Sequence, residues 1–346
     1  MHVLDSHGDA NHNRFVLTLA STSEETLLEG LLASIAEAVR RIDLRSHEGV
    51  HPRVGAADVV PIVPLDGTPM ELCSALARRL GERVWSELRL PVYFYGRAAL
   101  RPEAARLASI RAGGLEPDLG GPVLHRSAGA VCIGSRELLV AYNVLVPDAT
   151  LEEGQALARM VRESAGGLPG VQALAFPLNS GTVQLSMNLF DLQSAPPVRV
   201  LEGVRLLAAQ AGLEVGAEEV VGLCPAPHAT AAASGRLLEG RLGAAAARAG
   251  AARCRKLGGR ERELVAARLE SEAVELAGLS VEPEVILAGA ERTAALIRVL
   301  GAAGVRDAGL QRMLSAAARG LRAAVDGDRW KERIAALDSW LGGDQS

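Results

Sequence analysis

The sequence predicts an α/β chain: two ferredoxin-like α/β subdomains with mixed or antiparallel sheets, followed by an all-α C-terminal tail. Three observations predict it. Strand-length apolar runs alternate with helix-length amphipathic stretches from His2 to Leu223. In the second half they follow the order β-α-β-β-α-β, that of a split, ferredoxin-like unit. Beyond Pro225 the strands vanish, and Ala, Leu, Arg and Glu dominate. The expected boundaries are 1–134 and 135–225 for the two subdomains and 226–346 for the helical extension.

The elements follow in order. His2 to Asp5 is a short strand, and the loop SHGDANHN leads to a second strand, Arg14 to Leu19. Ser21-Thr-Ser23 caps a helix with Glu24 and Glu25 in its first turn, running to about Ile42 with Leu27, Leu28, Leu31, Ile35 and Val39 on one stripe. Val59 to Val63 is a buried strand, Met70 to Leu88 a helix and Pro91 to Tyr95 a strand. Ala98 to Leu115 reads as helix or turn, and PDLGGP as a loop. In the second half, Glu137 to Val146 is a strand, and Thr150, with Glu153 three residues on, opens a helix to Ser164. Strands at 171–176 and 182–189 flank a Pro-Leu-Asn-Ser-Gly turn. Pro197 starts a helix to Ala211, and 215–223 is the last strand. Helices are expected near 228–247, 259–278, 283–302, 307–325 and 329–341, separated at Gly258-Gly259, Pro283, Gly304 and Gly327.

Composition narrows the function classes. Net charge is only −4 and aromatics are 3%, which argues against a nucleic-acid binder with a basic face or stacking platforms. Hydrophobic residues at 49% with mixed charge suit a soluble globular chain. Neither a basic start leading into an apolar signal core nor an apolar run near 18 residues is seen, so the expected setting is cytoplasmic, without a membrane partner. The four cysteines, Cys73, Cys132, Cys224 and Cys254, lie at no metal-ligand spacing and read as free thiols in a reducing compartment.

The chemistry concentrates in Arg45 to Pro64, RSHEGVHPRVGAADVVPIVP, a polar turn feeding a buried strand. HEGVH has the letters of a zinc-protease helix, which needs His47 and His51 on one helical face. Gly49 inside the turn and Pro52 directly after His51 oppose that helix, so no metal site is assigned. The spacing alone also allows His47 and His51 to be plain loop residues.

This stretch resembles the signature of the formiminotransferase family (glutamate formimidoyltransferase): a His, a Gly, His-Pro-Arg, a Gly-Ala and an Asp-Val strand. The resemblance runs from about Val3 to about Pro225. It includes Asn13-Arg14, Pro91 to Gly96, Arg111-Ala-Gly113, Pro117 to Gly120 and Leu185 to Leu189. The family's opening strand and helix have no counterpart ahead of His2, so the first subdomain is expected to lack its leading β-α.

The resemblance implies transfer of a formimino group from N-formimino-L-glutamate to tetrahydrofolate, the co-substrate, in histidine degradation. A pterin nitrogen attacks an amidine carbon, and glutamate leaves as an amine. Such a step needs a group that takes and returns a proton, and histidine suits it. The residues alone leave His51 between a proton carrier and a loop residue; the resemblance makes it the catalytic base and acid. Asp5 resembles a family Asp in the same place, and His7 stands where some members have Asp. Asn13, Arg14 and His47 fall in matching segments, as does Gly55 in the small-residue turn. Arg53 is the expected carboxylate clamp, since guanidinium binds carboxylates bidentately. Asn143 and Asn188 are either satisfied core residues or walls of a folate tunnel. A homodimer is implied. The alternative is a non-catalytic folate- or glutamate-binding homologue. For the tail, a packing or oligomerisation appendage is expected; the glycine-rich segment of a cyclodeaminase is not visible in it, and that activity is not assigned.

Overall fold

The computed structural model describes residues 1–323, apart from Asp66, Asn179, Val281, Ala303 and Arg306. The chain opens with two strands, β1 (His2–Asp9) and β2 (Arg14–Ala20), which form a sheet of their own. Their four-residue connection allows only an antiparallel hairpin. β1 runs through SHGD, which the sequence reads as loop; its mixture of polar and small residues hid a strand exposed along much of its length.

Two compact units divide the chain. The first takes Met1, the hairpin tip Gly8–Phe15 and Ser23–Leu138. The second takes the hairpin stems His2–His7 and Val16–Thr22, and the chain from Leu139 onward.

In the first unit, α1 (Glu24–Arg41) is capped by Ser23, whose hydroxyl accepts the Thr26 N–H at 3.4 Å. Glu24 and Glu25 stand at its positive end and Arg40 and Arg41 at its negative end, as the helix dipole favours. Three strands, β3 (Val59–Ile62), β4 (Val92–Gly96) and β5 (Val131–Ser135), pair in the order β3-β5-β4, all parallel. The sheet here is thus parallel rather than mixed or antiparallel. A parallel pair cannot be closed by a hairpin, and α2 (Met70–Arg83), extended by a wider turn over Val84–Leu88, makes the crossover from β3 to β4. Parallel strands are covered on both faces. One face packs Val92, Phe94, Val131 and Ile133 against Leu28, Ile35, Leu76 and Leu80. The other packs Tyr93, Tyr95 and Cys132 against Ile110 of α3 (Leu107–Arg111). Each such aliphatic side chain contributes about 1.5–3 kcal/mol by leaving water. The central strand, β5, has no counterpart in the sequence reading. Its run AVCIGS is short and ends in small residues, so no periodicity marks it, although all five of its residues are buried.

In the second unit, β6 (Val140–Val146), β7 (Val171–Pro177), β8 (Val183–Leu189) and β9 (Glu218–Val221) pair in the order β7-β8-β6-β9, antiparallel throughout. With α4 (Leu151–Val161) and α5 (Pro197–Gln210) between them, this is the ferredoxin-like order the sequence predicts. Thr150 and Glu153 form the expected capping box on α4. The strands alternate: Tyr142, Val144, Leu185 and Met187 are buried on one face. α4 packs on that face, since a Cβ on Gly154 would lie 2.5 Å from the Val183 side chain. Asn143, Gln184, Ser186 and Asn188 lie on the other face.

The tail is helical among the described residues: α6 (Leu238–Lys256), α7 (Arg260–Ala277), α8 (Pro283–Ala302) and α9 (Ala308–Ala323). The helix expected at 228–247 begins ten residues later. Cys224 pairs its backbone with Arg236 and Leu238 (3.0 and 2.9 Å), which holds 225–237 as short turns. Buried Glu239 accepts the Ala226 N–H at 2.8 Å. The helix expected at 329–341 lies outside the described residues. No described helix is long and apolar enough to cross a membrane.

Candidate functional site

Residues 42–58 hold no helix, so His47 and His51 do not share a helical face. The loop is held by its own polar groups. Arg53 binds the Gly49 carbonyl at 2.6 Å and the His51 carbonyl at 3.3 Å, and also donates to His47 Nδ1. A guanidinium can only donate, so His47 Nδ1 accepts. Asp58 Oδ1 accepts the N–H of Val54 at 2.6 Å and of Gly55 at 3.4 Å, and its Oδ2 pairs with Arg111 at 2.6 Å. Gly55 is there for closeness. A Cβ on it would stand 1.7 Å from the Ala130 carbonyl oxygen, where the loop bridges to Gly129 beside β5.

The hairpin tip meets this loop. Asn13, at φ +45°, donates from Nδ2 to the Glu48 carbonyl at 2.7 Å. A Cβ on Gly49 would fall 2.4 Å from the His12 carbonyl oxygen. His12 is fully buried, and its ring centroid lies 6.0 Å from that of His51. A cleft of about 580 Å³ opens along Leu44 and residues 47–53.

His51 is half-buried, with Nδ1 2.8 Å from the Pro52 carbonyl. A carbonyl only accepts, so Nδ1 carries the hydrogen and Nε2 keeps the lone pair. Burial, then the guanidiniums of Arg14 and Arg111, push its pKa down to about 4, against the Pro52 carbonyl and Asp58. The ring is therefore neutral at physiological pH. A neutral imidazole within electrostatic reach of two guanidiniums can accept a proton in a region that also attracts anions.

The other expected site residues lie in the second unit. Asp5 is buried, and its Oδ2 is 3.3 Å from Arg236, which also reaches His7 Nδ1 at 3.2 Å. His7 Nε2 stands 3.6 Å from Glu219, and Glu219 accepts from buried Asn143 at 3.2 Å. Asn143 is thus a satisfied polar residue in a network. Asn188, on the same sheet face, is exposed.

Residues the sequence reading did not single out now belong to these clusters: Asp9, His12, Asp58 and Arg111 around His51, and Glu219 and Arg236 around His7. Some left a signal. Asp58 and Arg111 lie inside the segments that resemble the family, and His12 directly precedes Asn13-Arg14. Arg236 left none, being 229 positions from His7.

Among the described residues no group of three His, Cys, Asp or Glu side chains is placed to hold a metal ion. The four cysteines are buried without disulfides, and burial pushes the Cys132 thiol up to about 12. None is poised as a nucleophile at neutral pH.

Comparison with known proteins adds the family. A model of the formiminotransferase domain, N-terminal subdomain, matches residues 1–136, and one of the formiminotransferase domain matches 141–237. A glutamate formimidoyltransferase of Thermoplasma acidophilum is 42% identical over 238 residues, 64% of this chain and 78% of that protein. One of Streptococcus pyogenes is 32% identical over 237 residues, 65% and 79% of the two chains. A formimidoyltransferase-cyclodeaminase of Rattus norvegicus is 34% identical over 242 residues, which are 64% of this chain but 44% of that protein.

Proposed function

The chain belongs to the formiminotransferase family, a family of transferases, and from that premise we propose that it moves the formimino group of N-formimino-L-glutamate to tetrahydrofolate. The observation that carries the reading is the state of His51: a neutral ring whose Nδ1 donates to the Pro52 carbonyl, which places its lone pair on Nε2.

In this reading a pterin nitrogen adds to the amidine carbon, and the new tetrahedral centre carries an acidic ammonium. His51 Nε2 takes that proton. The resulting imidazolium, in surroundings that disfavour its charge, returns the proton readily to the departing nitrogen of glutamate. A base already neutral at pH 7 needs no prior deprotonation, and a weakly basic ring makes the return step downhill.

Both substrates carry carboxylates. Arg14 and Arg111, whose charges reach His51, supply the attraction for one of them. Arg53, with donors on two loop carbonyls and His47, shapes the loop in which a carboxylate clamp works. Asn13 and His47 hold the walls, and Gly55 lets the loop close on β5. Asp5, His7, Asn143 and Asn188 lie in the second unit, and in this proposal they offer a polar substrate-binding surface of that unit. The same reading expects a cytoplasmic homodimer serving histidine degradation, with small-molecule partners only and the tail as packing or oligomerisation surface.

The test is turnover of N-formimino-L-glutamate with tetrahydrofolate by the full chain, followed by absorbance of the folate product, beside His51→Ala. Turnover that falls about 10²-fold or more in the variant supports the proposal. Folate binding without turnover, unchanged in affinity by the substitution, would establish a binding homologue instead.

A further inference from the structure

The hairpin tip carries a second imidazole that the proposed proton transfer leaves unused. His12 is fully buried. Its Nδ1 lies 2.7 Å from Asp9 Oδ2, while Asp9 Oδ1 accepts the backbone N–H of Asn11 at 2.8 Å and of His12 at 3.0 Å. An ionised carboxylate only accepts, so His12 holds its hydrogen on Nδ1. Burial acts to raise the Asp9 pKa, but the His12 and Asn11 donors outweigh it and hold it below the usual range. Asp9 is therefore charged at neutral pH.

The rest of the His12 ring stands against His51, the two planes inclined by 56° with centroids 6.0 Å apart. Anchoring the tip requires only the Nδ1 hydrogen. The rest of the ring, buried with the residue, fills space beside His51. The tip cannot drift from this position, because Asn13 is bonded to the Glu48 carbonyl and Gly49 leaves no gap beneath the His12 carbonyl.

We propose that His12, anchored by Asp9, is a positioning residue for His51, fixing the plane of its ring and balancing the charge it gains while it holds a proton. The inference rests on the reading of His51 as the proton carrier. The groups that act on His51 come from several elements: the charges of Arg14 from β2, Arg111 from α3 and Asp58 ahead of β3, the Pro52 carbonyl bonded to its Nδ1, and the His12 ring of the tip, itself anchored by Asp9. Two of these are cations, so an imidazolium formed here is short of negative charge. Asp9, acting through the polarisable ring of His12, adds to what Asp58 provides. No new bond is made, and His12 keeps its own proton throughout.

Two substitutions separate this role from a mere anchor. His12→Asn keeps an N–H where Nδ1 stood and so keeps the bond to Asp9, but removes the ring that shields His51. Asp9→Asn keeps Oδ1 for the two backbone donors and removes the charge. The reading is the titration midpoint of the His51 ring by proton NMR, assigned by its loss in His51→Ala, together with kcat and KM of the full chain. His12→Asn is expected to raise the midpoint, because water reaches the ring. Asp9→Asn is expected to lower it, because a negative charge is gone. Both variants should lose about tenfold or more in kcat, with KM within about threefold, since ring placement rather than substrate capture is disturbed.

Opposite shifts of the His51 midpoint establish the role. A His12→Asn protein with the midpoint and kcat of the parent overturns it, as does a shift of the same sign in both variants. Should His12→Asn fail to fold, Asp9→Asn alone decides by the sign of its shift. If the parent chain shows no formimino transfer, the proposed function fails, yet the titrations still tell whether Asp9 and His12 act on His51.

Discussion

The loop around His51 and the antiparallel sheet of the second unit solve the same problem, holding polar side chains still, in opposite ways. The sheet does it by repetition. β8 and β6 alternate, so Asn143, Gln184, Ser186 and Asn188 are delivered to one face by register alone. The loop has no repeat. Residues 42–58 are irregular, and their shape comes from side chains bonded to backbone: Arg53 to two carbonyls, Asp58 to two N–H groups, Asn13 to the Glu48 carbonyl. The difference teaches that in the sheet a polar residue can change without its neighbours moving, whereas in the loop most residues are at once the scaffold and the chemistry.

The largest effect tests the loop's closest approach. Gly55→Ala drives a methyl to 1.7 Å from the Ala130 carbonyl oxygen, a backbone atom that yields only if β5 shifts. A loss of about 3 kcal/mol is expected, read from the urea midpoint at constant slope. Gly166→Ala is the control: its φ is +86° but nothing lies within 4 Å of the new atom. It should cost about 1 kcal/mol, from backbone strain alone. Equal losses would show that the loop is not pinned by the Gly55 contact.

Next comes Asp58→Ala, which strips acceptors from two backbone N–H groups and the partner from Arg111. About 2 kcal/mol is expected. Arg111, released from its carboxylate, adds positive influence at His51, so the titration midpoint of His51 should fall further. A variant as stable as the parent would mean that the loop's scaffold is carried by Arg53 and Asn13 alone.

What the sequence made legible follows the same division. The second unit's strand order and the capping box at Thr150 were readable, because alternation and helix signals are local and periodic. His51 was readable from His-Pro-Arg together with the family resemblance, since a loop motif is a string of particular residues. β5 was not, because AVCIGS is too short to show a period and borrows its burial from both faces of a parallel sheet. His12 was overlooked since a histidine in a polar loop, SHGDANHN, gives no sign that it will be buried. The turns before α6 were hidden because Arg236 and Leu238 pair with Cys224, a contact that composition does not encode.

A smaller effect distinguishes the loop by pH. In the folded chain His51 is held at about 4, against about 6.5 for a free imidazole, so between these values the unfolded chain binds the extra proton. The stability this contributes is complete above about pH 6.5 and is lost as pH falls toward 4. His51→Gln should therefore flatten the dependence of the urea midpoint on pH within that window and leave it unaltered above. An unchanged slope would show that the ring is as easily protonated in the fold as out of it.

The smallest effect lies in the sheet, and it bears on whether register alone suffices there. Asn143 and Asn188 share a face, yet one is buried and bonded to Glu219 and the other is exposed. Asn143→Ala leaves a Glu219 oxygen without a donor and opens space on β6, so a loss of about 1 kcal/mol is expected. Asn188→Ala removes a side chain that faces water and should stay within about 0.5 kcal/mol of the parent. If both are neutral, repetition of the strands carries the sheet, and the polar face is available for ligands without structural duty. If Asn143→Ala instead costs as much as Asp58→Ala, the network of Asp5, His7, Arg236 and Glu219 is a second scaffold, and the contrast between loop and sheet is one of degree. Thermal melts of the two variants, side by side at one pH, decide between these outcomes.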